Sequence, residues 1–148
     1  MQIVTTVRAI IIHNGKLFVV KNNEKPDYFI LPGGGIEPGE MIEDAMKREI
    51  FEETGIHPEL GRLLVIHEFA NKKKDTHRIE FFFSVKNDAD FECVDLSQAS
   101  HGFEISEFQF IAPGDSSVRI LPDIAREVAR EIIDSGLEQF STRIVTQS

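Results

Sequence analysis

Three glutamates, Glu49, Glu52 and Glu53, follow Arg48 in an acidic run that ends at Gly55. At about 100° per residue of helix their carboxylates fall within an arc of about 100°, since positions three and four apart are surface neighbours. Ile42, Met46 and Ile50 form an apolar stripe beside and partly inside that arc, so the acids are expected to face the body of the protein and not open water. Like charges held so close raise one another's pKa unless a cation intervenes, whereas a divalent metal keeps all of them ionised. Hard carboxylate oxygens suit Mg²⁺ or Mn²⁺ better than zinc, and no cysteine cluster competes. Arg48, together with Glu40, can brace one of these acids and hold the helix to the loop before it.

The elements around these residues read as loop, helix, loop. Pro32 and the run Gly33-Gly34-Gly35 allow a backbone path that side chains would obstruct, and Pro38-Gly39 turns the chain into a helix of about Met41 to Thr54. Glu43 and Asp44 sit in its first turn, where negative charge suits the dipole, and Gly55 stands where a left-handed cap is wanted. A charge run is by default a solvated helix face. Here seven acids against two cations between Gly34 and Ile56 leave −5 of the chain's −9 in one stretch, with glycines and a Pro-Gly turn at fixed spacing beside them.

This stretch resembles the Nudix box, the pattern Gly, five residues, Glu, seven residues, Arg-Glu, a bulky aliphatic, any residue, Glu-Glu, any residue, Gly, a bulky aliphatic. Gly34, Glu40, Arg48-Glu49, Ile50, Glu52-Glu53, Gly55 and Ile56 fill every fixed position, and Leu31-Pro32-Gly33-Gly34 is the usual lead-in. The resemblance implies the Nudix fold, an α/β/α sandwich with a mixed β-sheet. It also implies hydrolysis of a nucleoside diphosphate linked to another moiety, with Mg²⁺ as cofactor and Mn²⁺ as substitute. By the same resemblance Glu49, Glu52 and Glu53 are metal ligands, joined by a backbone carbonyl of the Gly33-Gly34 loop, with Arg48 in the catalytic set.

The general base stays open between Glu52 or Glu53 in the box and Glu80, Glu104 or Glu107 outside it, since a base must lie within hydrogen-bond reach of the attacking water. By default each outside acid is a solvent-facing strand residue. His67, His77 and His101 titrate near neutral pH, although a lone histidine is more often a surface or satisfied core residue. Lys21 and Arg78 are candidate phosphate contacts. Phe29 is a candidate substrate contact, with packing under the box as its default role.

With 148 residues the chain is expected to form one domain large enough for a real core. A net charge of −9 argues against a generic nucleic-acid or membrane-surface binder. The lone Cys93 cannot pair within the chain, the N-terminal residues lack a signal-peptide pattern, and no 18-residue apolar run exists, so a cytoplasmic protein is expected.

In chain order, Ile3 to Ile12 and Leu17 to Val20 read as a hairpin around Asn14-Gly15. Asn22 to Asp27 is a polar loop, and Tyr28 to Leu31 is a short strand. Gly61 to Ala70 and His77 to Val85 are antiparallel partners around Asn71 to Thr76, where Lys72-Lys73-Lys74 is by default a solvated tip. Alternation sends Phe82 to the face opposite Phe81 and Phe83, so both faces of that strand are expected to be covered. Asn87 to Gly102 is a long polar connection, Phe103 to Ile111 a strand, and from Leu121 apolar residues recurring through Ile133 read as an amphipathic helix stopped by Gly136. The tail from Gln139 to Ser148 is weakly patterned, a frayed end or a homodimer contact.

Two other functions share the fold. A nucleotide-sensing module would bind without turnover, but degenerate members typically lose box carboxylates and none is missing here. An isoprenoid-diphosphate isomerase would want a catalytic cysteine and glutamate pair, for which Cys93 is a poor candidate. Specificity should lie in Asn22 to Asp27, Lys72 to His77 and Asn87 to Gly102, where no substrate signature is legible.

Overall fold

In the computed structural model, which describes residues 1–147, two mixed five-stranded sheets lie between two helices. Strands β1 (Gln2–Ile10), β2 (Ile12–His13), β3 (Lys16–Asn22), β4 (Lys25–Ile30) and β5 (Gly33–Gly35) precede helix α1 (Ile42–Thr54). Then come β6 (Leu60–Asn71), β7 (Thr76–Val85), β8 (Ile105–Ile111), β9 (Ile120–Leu121), helix α2 (Ile124–Ser135) and β10 (Arg143–Gln147). One sheet runs β10-β6-β7-β1-β5, and the other β2-β3-β4-β9 with β8 on the free side of β3.

Side-chain alternation divides the strands between two cores. On β3, Leu17 and Val19 join a cluster with Phe82 of β7 and Ala125, Val128 and Ala129 of α2. The intervening Phe18 and Val20 join the other, with Val7 and Ala9 of β1, Phe83, and Ala45, Met46 and Ile50 of α1. Each core therefore draws on both sheets and one helix, and the three successive phenylalanines split between faces as period 2 requires. Around Asn14-Gly15, Ile12 pairs with Leu17 and His13 with Lys16, the register of a two-residue hairpin.

Four expectations need correction. The polar Asn22–Asp27 loop is shorter than its composition suggests, because β4 starts at Lys25 and pairs back with Asn22. The Asn87–Gly102 connection is not plain loop. It winds through short 3₁₀ turns over Asp88–Cys93 and Leu96–Gln98 and buries Phe91 beside Phe18, which gives a polar segment its anchor. Up to Gln147 the tail is not frayed, Ser148 lying outside the described residues: Phe140 is buried and Arg143–Gln147 pairs in parallel with Val65–Phe69, so backbone hydrogen bonding outweighs its weak pattern. On α1, Ile42 is exposed and Ala45 takes its place in the buried stripe with Met46 and Ile50.

Phe82 is fully buried where the α2 core meets both sheets. Its replacement by alanine is expected to cost about 3–5 kcal/mol, read as a lower urea midpoint at unchanged slope. The half-buried Phe81 should lose visibly less on the same change.

Candidate active site

Helix α1 is held at both ends by backbone devices. Met41 precedes it in extended conformation, Glu43 and Asp44 occupy the first turn, and Gly55 at φ 76° caps the far end by donating its N–H to the Phe51 carbonyl at 2.8 Å. Ala45, Met46 and Ile50 pack inward and set the rotation of the helix. Glu49, Glu52 and Glu53 are thereby half-buried, at the boundary between core and solvent.

Arg48 organises the acids. Its Nε and Nη2 donate to the two carboxylate oxygens of Glu40 at 2.7 and 2.9 Å, a bidentate pair that holds the Glu40 carboxyl down at about 2. Its Nη2 also donates to the Gly35 carbonyl at 3.0 Å, and its Nη1 to Glu49 at 3.0 Å and Glu52 at 3.3 Å. One guanidinium thus fixes the loop, the start of the helix and two of the three box acids.

Two glycines make room for the carboxylates. A side chain at Gly34 would fall on the Glu49 carboxyl, and one at Gly33, whose φ is 146°, would fall on the Val7 carbonyl. The Gly33 N–H donates to Glu53 Oε2 at 3.2 Å. Burial pushes the Glu53 carboxyl up to about 8, helped by the charges of Glu49 and Glu104, while the Arg8 charge and the Gly33 N–H pull the other way. Burial likewise raises Glu49, opposed by Arg48.

Among the described residues no three acidic, histidine or cysteine side chains already converge as a coordination cage. The donor set nevertheless fits a hard divalent cation. It consists of carboxylate oxygens crowded at a partly desolvated helix face, two of them raised in pKa, which is the environment a bound cation relieves. Glu49, Glu52 and Glu53 are the residues that could hold it, with the Gly34 carbonyl.

The short turn Gly102–Glu104 docks beside them. His101 donates its backbone N–H to the Glu52 carbonyl at 2.7 Å, and its Nδ1 lies 3.0 Å from Glu52 Oε2. Asn23 ties the same turn to the β3–β4 hairpin through the carbonyls of Phe103 and, at 2.9 Å, Glu104. The Glu104 carboxylate is exposed, and its charge reaches Glu53.

The other sequence candidates are engaged elsewhere. Glu80 is buried, contrary to the expectation of a solvent-facing strand residue, because β7 is covered on both faces. It accepts from Thr6 at 3.0 Å and Arg8 at 3.4 Å, and lies 3.3 Å from His67 Nδ1, while Gln147 of β10 meets His67 Nε2 at 2.9 Å. Burial opposes its charge, but His67, Arg8 and Thr6 together hold its pKa below the ordinary value. For His67 burial again opposes the charge, and Glu80 and Gln147 outweigh it and raise the pKa.

Lys21 pairs with Glu107 at 3.1 Å and lies 4.6 Å over the Phe29 ring. Phe29 itself is buried in the α2 core, and Glu107 also accepts from Gln109 at 2.8 Å. His77 pairs with Glu68 at 2.8 Å. Cys93 is exposed on the turn whose Asp88 and Glu92 bind His13.

Arg78 and Glu80, two apart on β7, line a cavity of about 370 Å³ with Arg8, His67, Phe69 and Tyr28. Arg8 joins this cavity to the box: it pairs with Gly33 across β1–β5, donates Nη1 to the Leu31 carbonyl at 3.2 Å, and places its charge by Glu49 and Glu53. Sequence reasoning missed Arg8, whose only signal is that it is the one charged residue in the otherwise uncharged strand Gln2–Ile10. All three tip lysines are exposed as expected, and Lys74 also stands at the cavity.

The family profile described as NUDIX domain matches residues 3–135. Diphosphoinositol polyphosphate phosphohydrolase 2 of Rattus norvegicus is 42% identical over 62 residues, 42% of this chain and 35% of that protein. The ADP-ribose pyrophosphatase of Methanocaldococcus jannaschii is 37% identical over 79 residues, 52% of this chain and 47% of that protein. The chain thus spans about a third to a half of the length of these relatives. The solved structure of a MutT NUDIX hydrolase from Burkholderia pseudomallei superposes with a TM-score of 0.70 at 21% identity, covering 86% of this chain and 98% of that one. The E. coli ORF135 protein superposes with a TM-score of 0.68 at 16% identity, covering 94% of this chain and 96% of that one. At these identities the two superpositions establish the fold.

The Glu80–His67 pair sets a pH signature of stability. Glu80, lowered on folding, stabilises above its ordinary value of 4.5 and loses that contribution as pH falls through its folded pKa. His67, raised on folding, stabilises fully below 6.5 and loses that contribution as pH rises through its folded pKa. The stability gap between wild type and Glu80→Gln, measured by urea unfolding at stepped pH, is therefore expected to be widest between pH 4.5 and 6.5 and to narrow on both sides.

Proposed function

Because the chain belongs to the NUDIX domain family, we propose that it is a metal-dependent pyrophosphohydrolase that cleaves a nucleoside diphosphate derivative. Water adds to phosphorus, the anhydride P–O bond breaks, and the products are a nucleoside monophosphate and the phosphorylated second moiety. The observation that carries this reading is the set of three half-buried carboxylates beside the Gly33-Gly34 loop, Glu49 and Glu52 held by Arg48 and Glu53 by the Gly33 N–H. The names of the relatives point to two different substrates, a diphosphoinositol polyphosphate, which carries no nucleoside, and ADP-ribose, which is a nucleoside diphosphate derivative.

In this reading Glu49, Glu52 and Glu53, with the Gly34 carbonyl, hold Mg²⁺, or Mn²⁺ in its place. When bound, such an ion neutralises phosphate oxygens and acidifies a water. Arg48 keeps Glu49 and Glu52 in fixed rotamers, so their orientation is set before substrate arrives.

Glu104 is our assignment for the general base. Its carboxylate is exposed, and its charge reaches Glu53. By contrast Glu80 is committed to Thr6, Arg8 and His67, and Glu107 to Lys21 and Gln109. The unpaired, exposed Cys93 fits a reducing, cytoplasmic setting.

Phosphorus NMR of a panel of nucleoside diphosphate derivatives, with Mg²⁺ and then with EDTA, tests the proposal. The expected result is two phosphorylated products with metal and none with chelator. Binding without products would favour the sensing module, and a rearranged diphosphate the isomerase. Glu53→Gln and Glu104→Gln should each lower kcat by about 10²–10⁴-fold, with KM little changed for Glu104→Gln. Full Mg²⁺-supported activity of Glu53→Gln would remove it from the ligand set.

A further inference from the structure

The chain carries a net charge of −9, yet the cavity beside the box gathers four cations, Arg8, Lys25, Lys74 and Arg78. They come from β1, β4, the β6–β7 turn and β7, so the gathering belongs to the tertiary fold and not to one basic run. Of the two acids lining the same cavity, Glu80 is committed to Arg8, Thr6 and His67, which leaves Asp123. Among the described residues Lys25, Lys74 and Arg78 have no carboxylate within ion-pair distance, although acids outnumber cations 25 to 16 in the chain.

Cations concentrated around a concave, partly apolar wall repel one another and focus a positive potential that an anion relieves. The wall is formed by Tyr28, Ile30 and Phe69, and by the Leu121-Pro122 segment. Arg8 lines the cavity and also reaches the lead-in to the glycine loop, through its bond to the Leu31 carbonyl and its charge on Glu53. A group seated here would be the part of a substrate next to the anhydride under attack.

We propose that this cavity recognises phosphate groups beyond the cleaved anhydride, so that the substrate moiety it accepts is itself phosphorylated. Arg78 is the central contact, half-buried and in line with Glu80 on β7, with Lys25 and Lys74 closing over the anion from the rim. Two sources share that chemistry, a linear phosphoanhydride chain and a compact polyol bearing phosphate monoesters. This inference rests on the hydrolase reading only for the word substrate, since the binding it describes needs no turnover.

Calorimetric titration in EDTA, where hydrolysis is absent, separates the two claims. The probes are inorganic tripolyphosphate, myo-inositol hexakisphosphate and, as a singly phosphorylated aromatic comparator, AMP. Saturable binding of either polyphosphate, tighter than AMP, is expected, and the tighter of the two identifies the source. Arg78→Gln, and separately the exposed Lys25→Gln, should each weaken it about fivefold, the scale of an exposed ion pair, with the unfolding midpoint unchanged for Lys25→Gln. Binding of AMP above both polyphosphates, no polyphosphate binding, or polyphosphate binding indifferent to both substitutions would overturn the proposal. Metal-dependent hydrolysis can succeed or fail in the separate assay without altering these outcomes.

Discussion

The Arg48 guanidinium bonds two carboxylates of its own helix, Glu49 and Glu52, and reaches back to Glu40 and the Gly35 carbonyl of the preceding loop. Everything at the site depends on that closure. A helix face with three acids facing inward would repel itself and take up protons, as the raised pKa values of Glu49 and Glu53 show. Arg48 relieves part of this from within the helix, and Arg8 relieves part from β1, where it lies next to the glycine loop in register with Gly33. What stays unrelieved is the condition a divalent cation would meet.

The two cores translate strand alternation into this geometry. Val7, Ala9 and Phe83 face α1 and fix its position, while Thr6, Arg8 and Glu80 lie on the opposite side of the same strands. One sheet thus carries a helix bearing acids on one face and a cation-lined cavity on the other, with the β5 glycines at the edge between them. The buried line from Gln147 through His67 and Glu80 to Arg8 brings the last strand into the same arrangement. The parallel pairing of β10 with β6 therefore supports the site as well as the sheet.

Local signals were legible in proportion to how local their causes are. The Gly55 cap, the Asn14-Gly15 hairpin, the extent of α1 and the splitting of Phe81, Phe82 and Phe83 follow from the dihedral demands and periods of a few adjacent residues. The box positions were equally readable, since their spacing is that of one helix and its loop. Glu80 and the β10 tail were not, because each depends on a partner distant in sequence, and Ile42 was not, because the packing that sets the rotation of α1 is tertiary. Glu80 is buried by Thr6 and His67, Ile42 is displaced from the core by Ala45, and the tail is ordered by β6. Arg8 and the cation cavity were invisible for the same reason: only the tertiary fold brings Lys25, Lys74 and Arg78 to one place.

The chemistry of the site rests on the acids of α1 being arranged to hold a divalent cation. Electron paramagnetic resonance of Mn²⁺ titrated into the protein without nucleotide tests it directly, because free Mn²⁺ gives the resolved signal and bound Mn²⁺ does not. Saturable loss of signal in the wild type, abolished in a Glu52→Gln/Glu53→Gln double variant of unchanged unfolding midpoint, is the predicted result. Equal Mn²⁺ binding by the folded double variant would contradict it and place the metal, and the chemistry, elsewhere.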